Sequence, residues 1–487
     1  MNPDDLTLLP ASCLRHLMDN GEVSAVEIAE DCIAKIESHN DLLNAVVTLS
    51  ETVLDDAQAA QERLQRARQT GARGGDKSPE DPGLLCGIPA GIKDVTPVRG
   101  LRHTYGSPLY ADNLAEQDAL VVQRLRKAGA VIVGKTNTPE FATGGNTFNE
   151  VFGVTRNPWN PECSAGGSTG GGAAGLASGM IALAEGTDLG GSLRIPASFC
   201  GVVGIRPSPG LVPTWPSAYP WDTMQVTGGM ARTAEDVAMY LQATAGPSSR
   251  APVGQSATGR DFPAAVRAGP HEALRLAYCA DIASIGIDEG VESVCRAAAE
   301  SLATSGHETE IIELDLSSAW EAFLTIRGFW MVAQQHSRLA LLERFGANLG
   351  GNVEFGLKVS TEQLGVAEQE RGRLWDRFHA FFERFDLLLT PTMAIPPFPA
   401  EQSYPSSIGE RKMRTYVDWF APTFLLSLTG LPVASVPAGL DTEGLPVGLQ
   451  IVGRPRGEES VLALAGLLQD LCPIGLPDTR PKLGVPG

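Results

Sequence analysis

Apolar positions along the chain alternate between a helical spacing and short uninterrupted runs. Ser24 and Glu27 form a capping box ahead of an amphipathic helix that we expect to extend to about His39. Residues 45–49 and 130–134 are short apolar runs that are typical of buried strands. Helices and strands that follow one another after short turns favour an α/β architecture.

The same patterns predict elements along the rest of the chain. Further helices are predicted over 51–69, 118–128, 176–183, 234–243, 290–305, 320–344, 361–385 and 459–471, and further strands over 202–205, 274–279, 310–314 and 385–390, with one more ending at Lys93. Residues 423–431, 434–437 and 447–452 are predicted to continue the core. We therefore expect one large α/β domain over residues 1–487, with a central mixed, largely parallel β-sheet covered by helices on both faces. Residues 70–83 combine Gly, Pro and charges without an apolar period, which predicts an exposed loop.

Composition narrows the classes of function. The chain has 487 residues and a net charge of −19, which argues against nucleic acid or an anionic membrane as the main partner. The N-terminus lacks the pattern of a signal peptide, and Pro and Gly interrupt the longest uncharged tract, residues 419–440, so we expect a cytoplasmic protein without a membrane span. The eight cysteines form no CxxC pair, and we find no zinc motif.

Candidate chemistry is concentrated in the Gly-rich stretch from Ala165 to Ser208. It has two glycine clusters, residues 166–172 and 186–191. Ser168 lies within the first cluster, and Ser192 directly follows the second. Backbone amides close to a hydroxyl are the components of a nucleophile with an oxyanion hole. The small apolar residues between the clusters favour a packed helix over a flexible linker.

Three familiar motifs occur in unsuitable contexts. Residues 129–136 fit the phosphate-loop pattern, but their middle is apolar like a strand. Residues 170–175 fit GxGxxG, and residues 166–170 fit the GxSxG nucleophile elbow, but the residues before both favour turns and not the strand that each motif requires. An α/β-hydrolase-type serine esterase that uses Ser168 stays open as an alternative.

A serine nucleophile needs a base, and Lys93 is the candidate. It ends a predicted strand among apolar residues, and burial lowers the pKa of a lysine towards neutrality. A surface lysine paired with Asp94 is the more ordinary interpretation of the same residues.

Lys93, GGSTGG (166–171) and GTDLGGSLRIP (186–196) together resemble the amidase signature family, with supporting matches in order at 87–94, 134–142, 155–161, 228–238, 385–392 and 444–453. The resemblance covers most of the chain. It implies amide hydrolysis by a Ser–cis-Ser–Lys triad, in which Ser192 is the nucleophile, Ser168 the bridging serine after a cis peptide bond and Lys93 the base. It implies no metal or organic cofactor, and a catalytic core over about 84–245.

The resemblance also assigns supporting roles. The amides of Leu189, Gly190, Gly191 and Ser192 would form the oxyanion hole, and Thr169, Asp188 and Arg194 would support the triad. Thr169 stands where a second serine is usual and keeps the hydroxyl. Residues 205–208, Ile-Arg-Pro-Ser, depart from the commoner Leu-Lys-Pro-Thr.

Substrate preference is less constrained. Aromatic and sulfur side chains after the Gly-rich stretch and within the predicted helices at 320–385 are candidates for the pocket, namely Trp215, Tyr219, Trp221, Met224, Phe329 and Trp330. They favour small-molecule aryl amides, anilides or carbamates, although the second group is equally typical of helix core. We expect a monomer or homodimer. The alternative is the glutamine-amidase subunit of an aminoacyl-tRNA amidotransferase, which close relatives provide.

Overall fold

The computed structural model describes residues 3–71 and 81–478, so that residues 72–80 of the predicted loop lie outside the described residues. The α-helices are α1 Ala11–Asn20, α2 Ala25–Leu43, α3 Val53–Thr70, α4 Leu120–Lys127, α5 Gly170–Ala177, α6 Arg194–Cys200, α7 Ala234–Thr244, α8 Phe262–Ala268, α9 Glu289–Thr304, α10 Trp320–Gln335, α11 Ala347–Leu357, α12 Thr361–Arg384, α13 Ala421–Ser427 and α14 Glu458–Leu471. Short 3-10 helices cover Pro3–Leu8, Pro108–Tyr110, Glu140–Ala142, Ser317–Ala319, His336–Arg344 and Asp418–Phe420.

The strands are β1 Val46–Leu49, β2 Pro89–Lys93, β3 Val131–Thr136, β4 Phe148–Asn149, β5 Gly153–Val154, β6 Leu183–Asp188, β7 Val203–Arg206, β8 Val226–Ala231, β9 Arg275–Tyr278, β10 Glu308–Ile311, β11 Leu387–Pro391, β12 Ser407–Ile408, β13 Arg411–Lys412, β14 Val433–Leu440 and β15 Pro446–Val452. Within the described residues, eleven of them form one sheet in the order β1-β3-β2-β6-β8-β7-β14-β15-β11-β9-β10. Pairing is parallel in β3-β2-β6 and in β11-β9-β10, and antiparallel elsewhere in the sheet. The predicted mixed α/β sheet is confirmed, and its parallel pairs are confined to these two groups.

Apolar side chains project from both faces of the sheet. Successive residues of a strand point to opposite faces, and in β6 Leu183 and Ala184 belong to different apolar clusters, as do Leu387 and Leu388 in β11. Helices therefore cover both faces, as predicted. No helix of the described residues is long and apolar enough to cross a membrane.

The largest difference from the sequence prediction lies between the two serines. The helix predicted over 176–183 is instead the end of α5, which stops at Ala177, followed by a turn with Gly179 at a φ of +77° and then by β6. Every residue of α5 and of β6 is buried. Ser178 is the one polar residue of the run 176–183, so the run has no polar period that could separate a buried helix from a buried strand.

Candidate active site

Lys93 and Ser168 meet in the interior of the protein. Lys93 is the last residue of β2, and its Nζ donates to Ser168 Oγ at 2.7 Å and to Thr169 Oγ1 at 2.9 Å. Thr187 Oγ1, near the end of the neighbouring strand β6, is 3.3 Å from the same nitrogen. The Gly167–Ser168 peptide bond is cis, which agrees with the resemblance. The amine is thus held by three hydroxyl groups.

Burial decides the protonation of Lys93. Its side chain is completely buried, and this desolvation lowers the pKa of the amine to about 7, while the charges of Glu185 and Asp188 oppose the shift. A neutral amine is therefore well populated near neutral pH, and a neutral amine can accept a proton from a hydroxyl.

Glu185 is a site residue that the sequence analysis missed. It lies on β6, where its carboxylate accepts from the Lys93 backbone amide at 3.2 Å and from Thr96 Oγ1 at 2.9 Å. Burial raises the pKa of this carboxyl to about 7. A lone acidic residue at the end of the apolar run 179–184 was the signal that could have found it.

Asp188 organises the turn that follows β6. Its carboxylate accepts from Arg194 Nε and Nη2, both at 3.0 Å, and from Arg206 Nη1 at 3.4 Å, and all three side chains are fully buried. Burial alone would raise the pKa of the Asp188 carboxyl, but the two arginines hold it below its usual range. The predicted supporting roles of Asp188 and Arg194 are consistent with this network, and Arg206 joins it.

The Asp188 network also includes one amide of the predicted oxyanion hole. The Gly191 amide donates to Asp188 Oδ1 at 2.8 Å, so it is already engaged in a hydrogen bond within the protein. The amides of Leu189, Gly190 and Ser192 stay candidates for that role. Ser192 lies directly after this turn, and its carbonyl accepts from the Thr169 amide at 3.2 Å, which ties the two serine segments together.

Ser168 and Ser192 line the same narrow cavity. Its volume is about 30 Å³, close to the space that one water molecule needs. A second cavity of about 400 Å³ shares several of its lining residues, namely Phe141, Ala142, Thr187, Gln225 and Trp330. The shared walls make the larger cavity the natural space for most of a substrate, and the narrow one the space for its reacting group.

The predicted pocket residues lie at different places relative to the two cavities. Trp330 lines both cavities and Trp215 lines the larger one, whereas Tyr219 lines a separate small cavity. Trp221 is 68% exposed, Phe329 is 37% exposed and packs edge-on against Tyr219, and Met224 is buried in an apolar cluster. None of these last three is among the residues that line the two cavities, and their part in a substrate pocket stays a prediction.

Other residues that the sequence analysis did not select complete the wall of the narrow cavity. They are Phe141, Ala142, Gly144, Gly145, Thr187, Ile195, Gln225, Arg327, Tyr416 and Phe420. Trp330, Arg327 and Met331 share one face of α10 with the buried Phe323, at the three- and four-residue spacing of a helix. That periodicity was the available signal for Arg327.

The phosphate-loop and GxSxG sequence matches do not have the local structure that these motifs require. Residues 131–136 of the phosphate-loop pattern are strand β3, and Lys135 pairs with Asp94 at 3.0 Å in the interior. Ser168 of the GxSxG pattern follows irregular chain, and its hydroxyl is bonded to Lys93. A nucleophile elbow requires a strand at that point, so the local structure does not favour the esterase alternative.

Comparisons with known proteins agree with the fold and identify the family. A family model described as Amidase matches residues 27–462. An acylamidase from Rhodococcus erythropolis is 33% identical over 483 residues, with 97% of each chain covered. A glutamyl-tRNA(Gln) amidotransferase subunit from Synechococcus sp. (strain RCC307) is 32% identical, with 94% of this chain and 96% of that protein covered. A bacterial aryl acylamidase of known structure superposes with a TM-score of 0.85 at 27% identity, over 95% of this chain and 96% of that one. This chain belongs to the amidase signature family of amide-hydrolysing enzymes.

Proposed function

We propose that this enzyme hydrolyses small-molecule carboxylic amides through an acyl-enzyme on Ser192, with Ser168 as the bridging hydroxyl and Lys93 as the base. The observation that carries the proposal is the 2.7 Å contact between the buried Lys93 amine and Ser168 Oγ, beside a cavity that Ser192 shares. Burial brings the pKa of Lys93 to about 7, where a general base is most effective.

The acylation step follows from these positions. Ser192 Oγ attacks the amide carbon while its proton passes to Ser168 Oγ, and Ser168 gives its own proton to the Lys93 amine. The negative charge that develops on the carbonyl oxygen faces the amides of Leu189, Gly190 and Ser192. Lys93 then returns the proton through Ser168 to the amine nitrogen as the C–N bond breaks.

Deacylation repeats the same path with water. A water molecule attacks the ester on Ser192, its proton travels through Ser168 to Lys93, and Ser192 leaves with a proton from the same relay. The products are a carboxylic acid and an amine. Every proton transfer uses groups of this chain.

The walls of the cavities favour substrates with a flat apolar part. Trp330, Phe141, Tyr416 and Phe420 line the narrow cavity, and about 400 Å³ beside it accommodates an aryl group. We therefore propose aryl amides, anilides or aryl carbamates as the substrate class. A matched set of 4-nitroanilide, benzamide, aryl carbamate and short aliphatic amide tests this, and a preference for the aliphatic amide would contradict it.

Labelling with a fluorophosphonate tests the nucleophile. We expect wild type to be labelled and Ser192→Ala to lose both labelling and hydrolysis. Ser178→Ala is the matched control, because Ser178 is a buried serine of the same stretch whose hydroxyl bonds only locally, to Ala174 O at 2.7 Å among others. Equal labelling of wild type and Ser192→Ala would refute the assignment.

A second candidate function is that of a glutamine-amidase subunit. The 32% identity to the amidotransferase protein favours it. Ammonia release from glutamine, and partner subunits that co-purify with the chain, would support this function. A chain that hydrolyses anilides alone and ignores glutamine would exclude it.

A further inference from the structure

Arg327 lies in the wall of the narrow cavity together with both serines. Its residue is 5% exposed, and it sits on the inner face of α10. The guanidinium donates to Asn352 Oδ1 and to the Tyr416 hydroxyl oxygen, which are both neutral groups. Within residues 3–71 and 81–478, no carboxylate forms an ion pair with it. A buried cation of this kind lacks the counter-charge that such groups normally have.

The neighbours of Arg327 hold it in place and cannot neutralise it. Asn352 Nδ2 donates to Asn348 O at 2.5 Å and to the Tyr416 hydroxyl at 2.7 Å, so its amide is fixed with the oxygen towards Arg327. The Tyr416 oxygen accepts from both residues, which leaves its own O–H as a donor. Burial raises the pKa of Tyr416, so this phenol keeps its proton. The cluster therefore offers donors only.

The rest of the lining leaves this positive charge unbalanced. None of the described residues that line either cavity is Asp or Glu, and the larger cavity adds a second arginine, Arg338. Arg338 donates to the Tyr110 hydroxyl at 2.7 Å, which is again a neutral partner. The chain as a whole carries a net charge of −19. A cationic lining in such an acidic protein points to a ligand that brings the negative charge.

We infer that Arg327 and Tyr416 bind a carboxylate carried by the amide substrate. This rests on the proposed amide hydrolysis and narrows its substrate class to amides with a carboxylate on the acyl part or on the amine part. The planar guanidinium and the phenol O–H together supply the donors that the two carboxylate oxygens accept. Because Arg327 lines the same narrow cavity as the serines, the carboxylate lies only a few atoms away from the reacting carbonyl.

Matched pairs of substrates test this inference. On the acyl side, glutaric acid mono-4-nitroanilide is compared with pentanoic acid 4-nitroanilide. On the amine side, 4-acetamidobenzoate is compared with 4-methylacetanilide. For at least one pair, we expect wild-type kcat/KM to favour the carboxylate by about 10- to 100-fold, the range that charge-assisted hydrogen bonds give. The pair that shows the preference identifies the side that carries the anion.

Variants assign the preference to Arg327. Arg327→Met is expected to abolish it, mainly through a higher KM for the carboxylate, while the neutral partner is still hydrolysed. Tyr416→Phe is expected to weaken it and serves as the second variant if Arg327→Met does not fold. Arg414→Met is the charge control. The Arg414 side chain is 76% exposed, so this substitution removes the same charge outside the cavity lining. It should leave the preference unchanged.

Binding to Ser192→Ala separates this inference from the proposed mechanism. In that background, calorimetric titration with both substrate pairs measures recognition without turnover. Equal affinity for both members of both pairs, or a preference that survives Arg327→Met, would overturn the role of Arg327. If wild type hydrolyses none of the amides while Ser192→Ala still binds the carboxylate members more tightly, the proposed mechanism is overturned and the anion site is supported.

Discussion

Replacing Glu185 with glutamine tests how the protein adjusts the pKa of Lys93, the proposed base. The carboxylate accepts from the Lys93 amide through one oxygen and from the Thr96 hydroxyl through the other. The substitution keeps the size of the side chain, and the amide oxygen can still accept from the Lys93 amide while its NH2 donates to the Thr96 hydroxyl oxygen. It removes the negative charge that favours the protonated amine. Without the charge of Glu185, desolvation is opposed less strongly, so the pKa of Lys93 falls further.

The size of the effect can be worked from the site. A pKa of about 7 leaves the Lys93 amine neutral in about half of the molecules at pH 7, against roughly one in 3,000 for a lysine with its ordinary pKa. Glu185 contacts the Lys93 backbone, so its charge lies about one lysine side chain from Nζ. A unit charge at roughly 6–8 Å, with an effective dielectric constant near 20, changes a pKa by about one to two units.

The assay is the pH dependence of kcat/KM for a 4-nitroanilide between about pH 5 and 9. The rate should rise with pH as Lys93 loses its proton, with a midpoint near 7 in wild type. In Glu185→Gln, the rise should persist with its midpoint at least about one unit lower. Burial also raises the pKa of Glu185 to about 7, but a glutamine cannot titrate, so the surviving rise belongs to Lys93.

The control is Asp236→Asn, which removes another fully buried carboxyl with a raised pKa. Asp236 accepts from the amides of Ala11 and Ser12. It should change stability without moving the midpoint. A midpoint that stays at 7 in Glu185→Gln, or moves up, would refute the electrostatic argument, and loss of the rise would show that Glu185 itself is the titrating group.

Two further substitutions test the turn after β6. Gly191→Ala places a Cβ 2.3 Å from Thr423 Oγ1 at a φ of +130°. We therefore expect amidase activity to fall by at least about tenfold, because the adjacent amides must shift. Gly351→Ala is the control, since nothing lies within 4 Å of that Cβ, and equal activity of the two variants would contradict the expectation. Asp188→Asn leaves two buried arginines without their carboxylate and should lower the free energy of unfolding by about 3–5 kcal/mol; urea unfolding measures it, and a change below about 1 kcal/mol would show that the network is dispensable.

Elements with a strong local signal could be predicted from the sequence. The capping box at Ser24 and Glu27 is present, and α2 begins directly after it. The strand that ends at Lys93 and the closing helix α14 are also confirmed. In each case turn residues or caps mark the ends of the element, and local chemistry decides its type without help from the rest of the fold.

The stretch around β6 could not be predicted in the same way. Its strand LAEGTD contains two acids and a glycine, which are all unfavourable in strands, yet each residue is buried. The acids are tolerated because partners from other elements meet them: Thr96 and the Lys93 amide at Glu185, and two arginines that follow 6 and 18 residues later at Asp188. These partners are brought in by the tertiary fold, so a local pattern cannot show them, and only the resemblance placed Asp188 in the site.

The treatment of buried cations connects the mechanism with recognition. Lys135 is neutralised by Asp94, and Arg194 and Arg206 share the one negative charge of Asp188, whereas desolvation brings the pKa of Lys93 down to about 7. Each of these arrangements removes or reduces a charge that would otherwise be costly inside the protein. Arg327, within the described part of the chain, has neither solution: its guanidinium stays charged at any working pH, and its partners are neutral. Because that charge is best balanced when an anion binds, the same electrostatic reasoning that makes Lys93 a base makes Arg327 a selector of carboxylate-bearing amides.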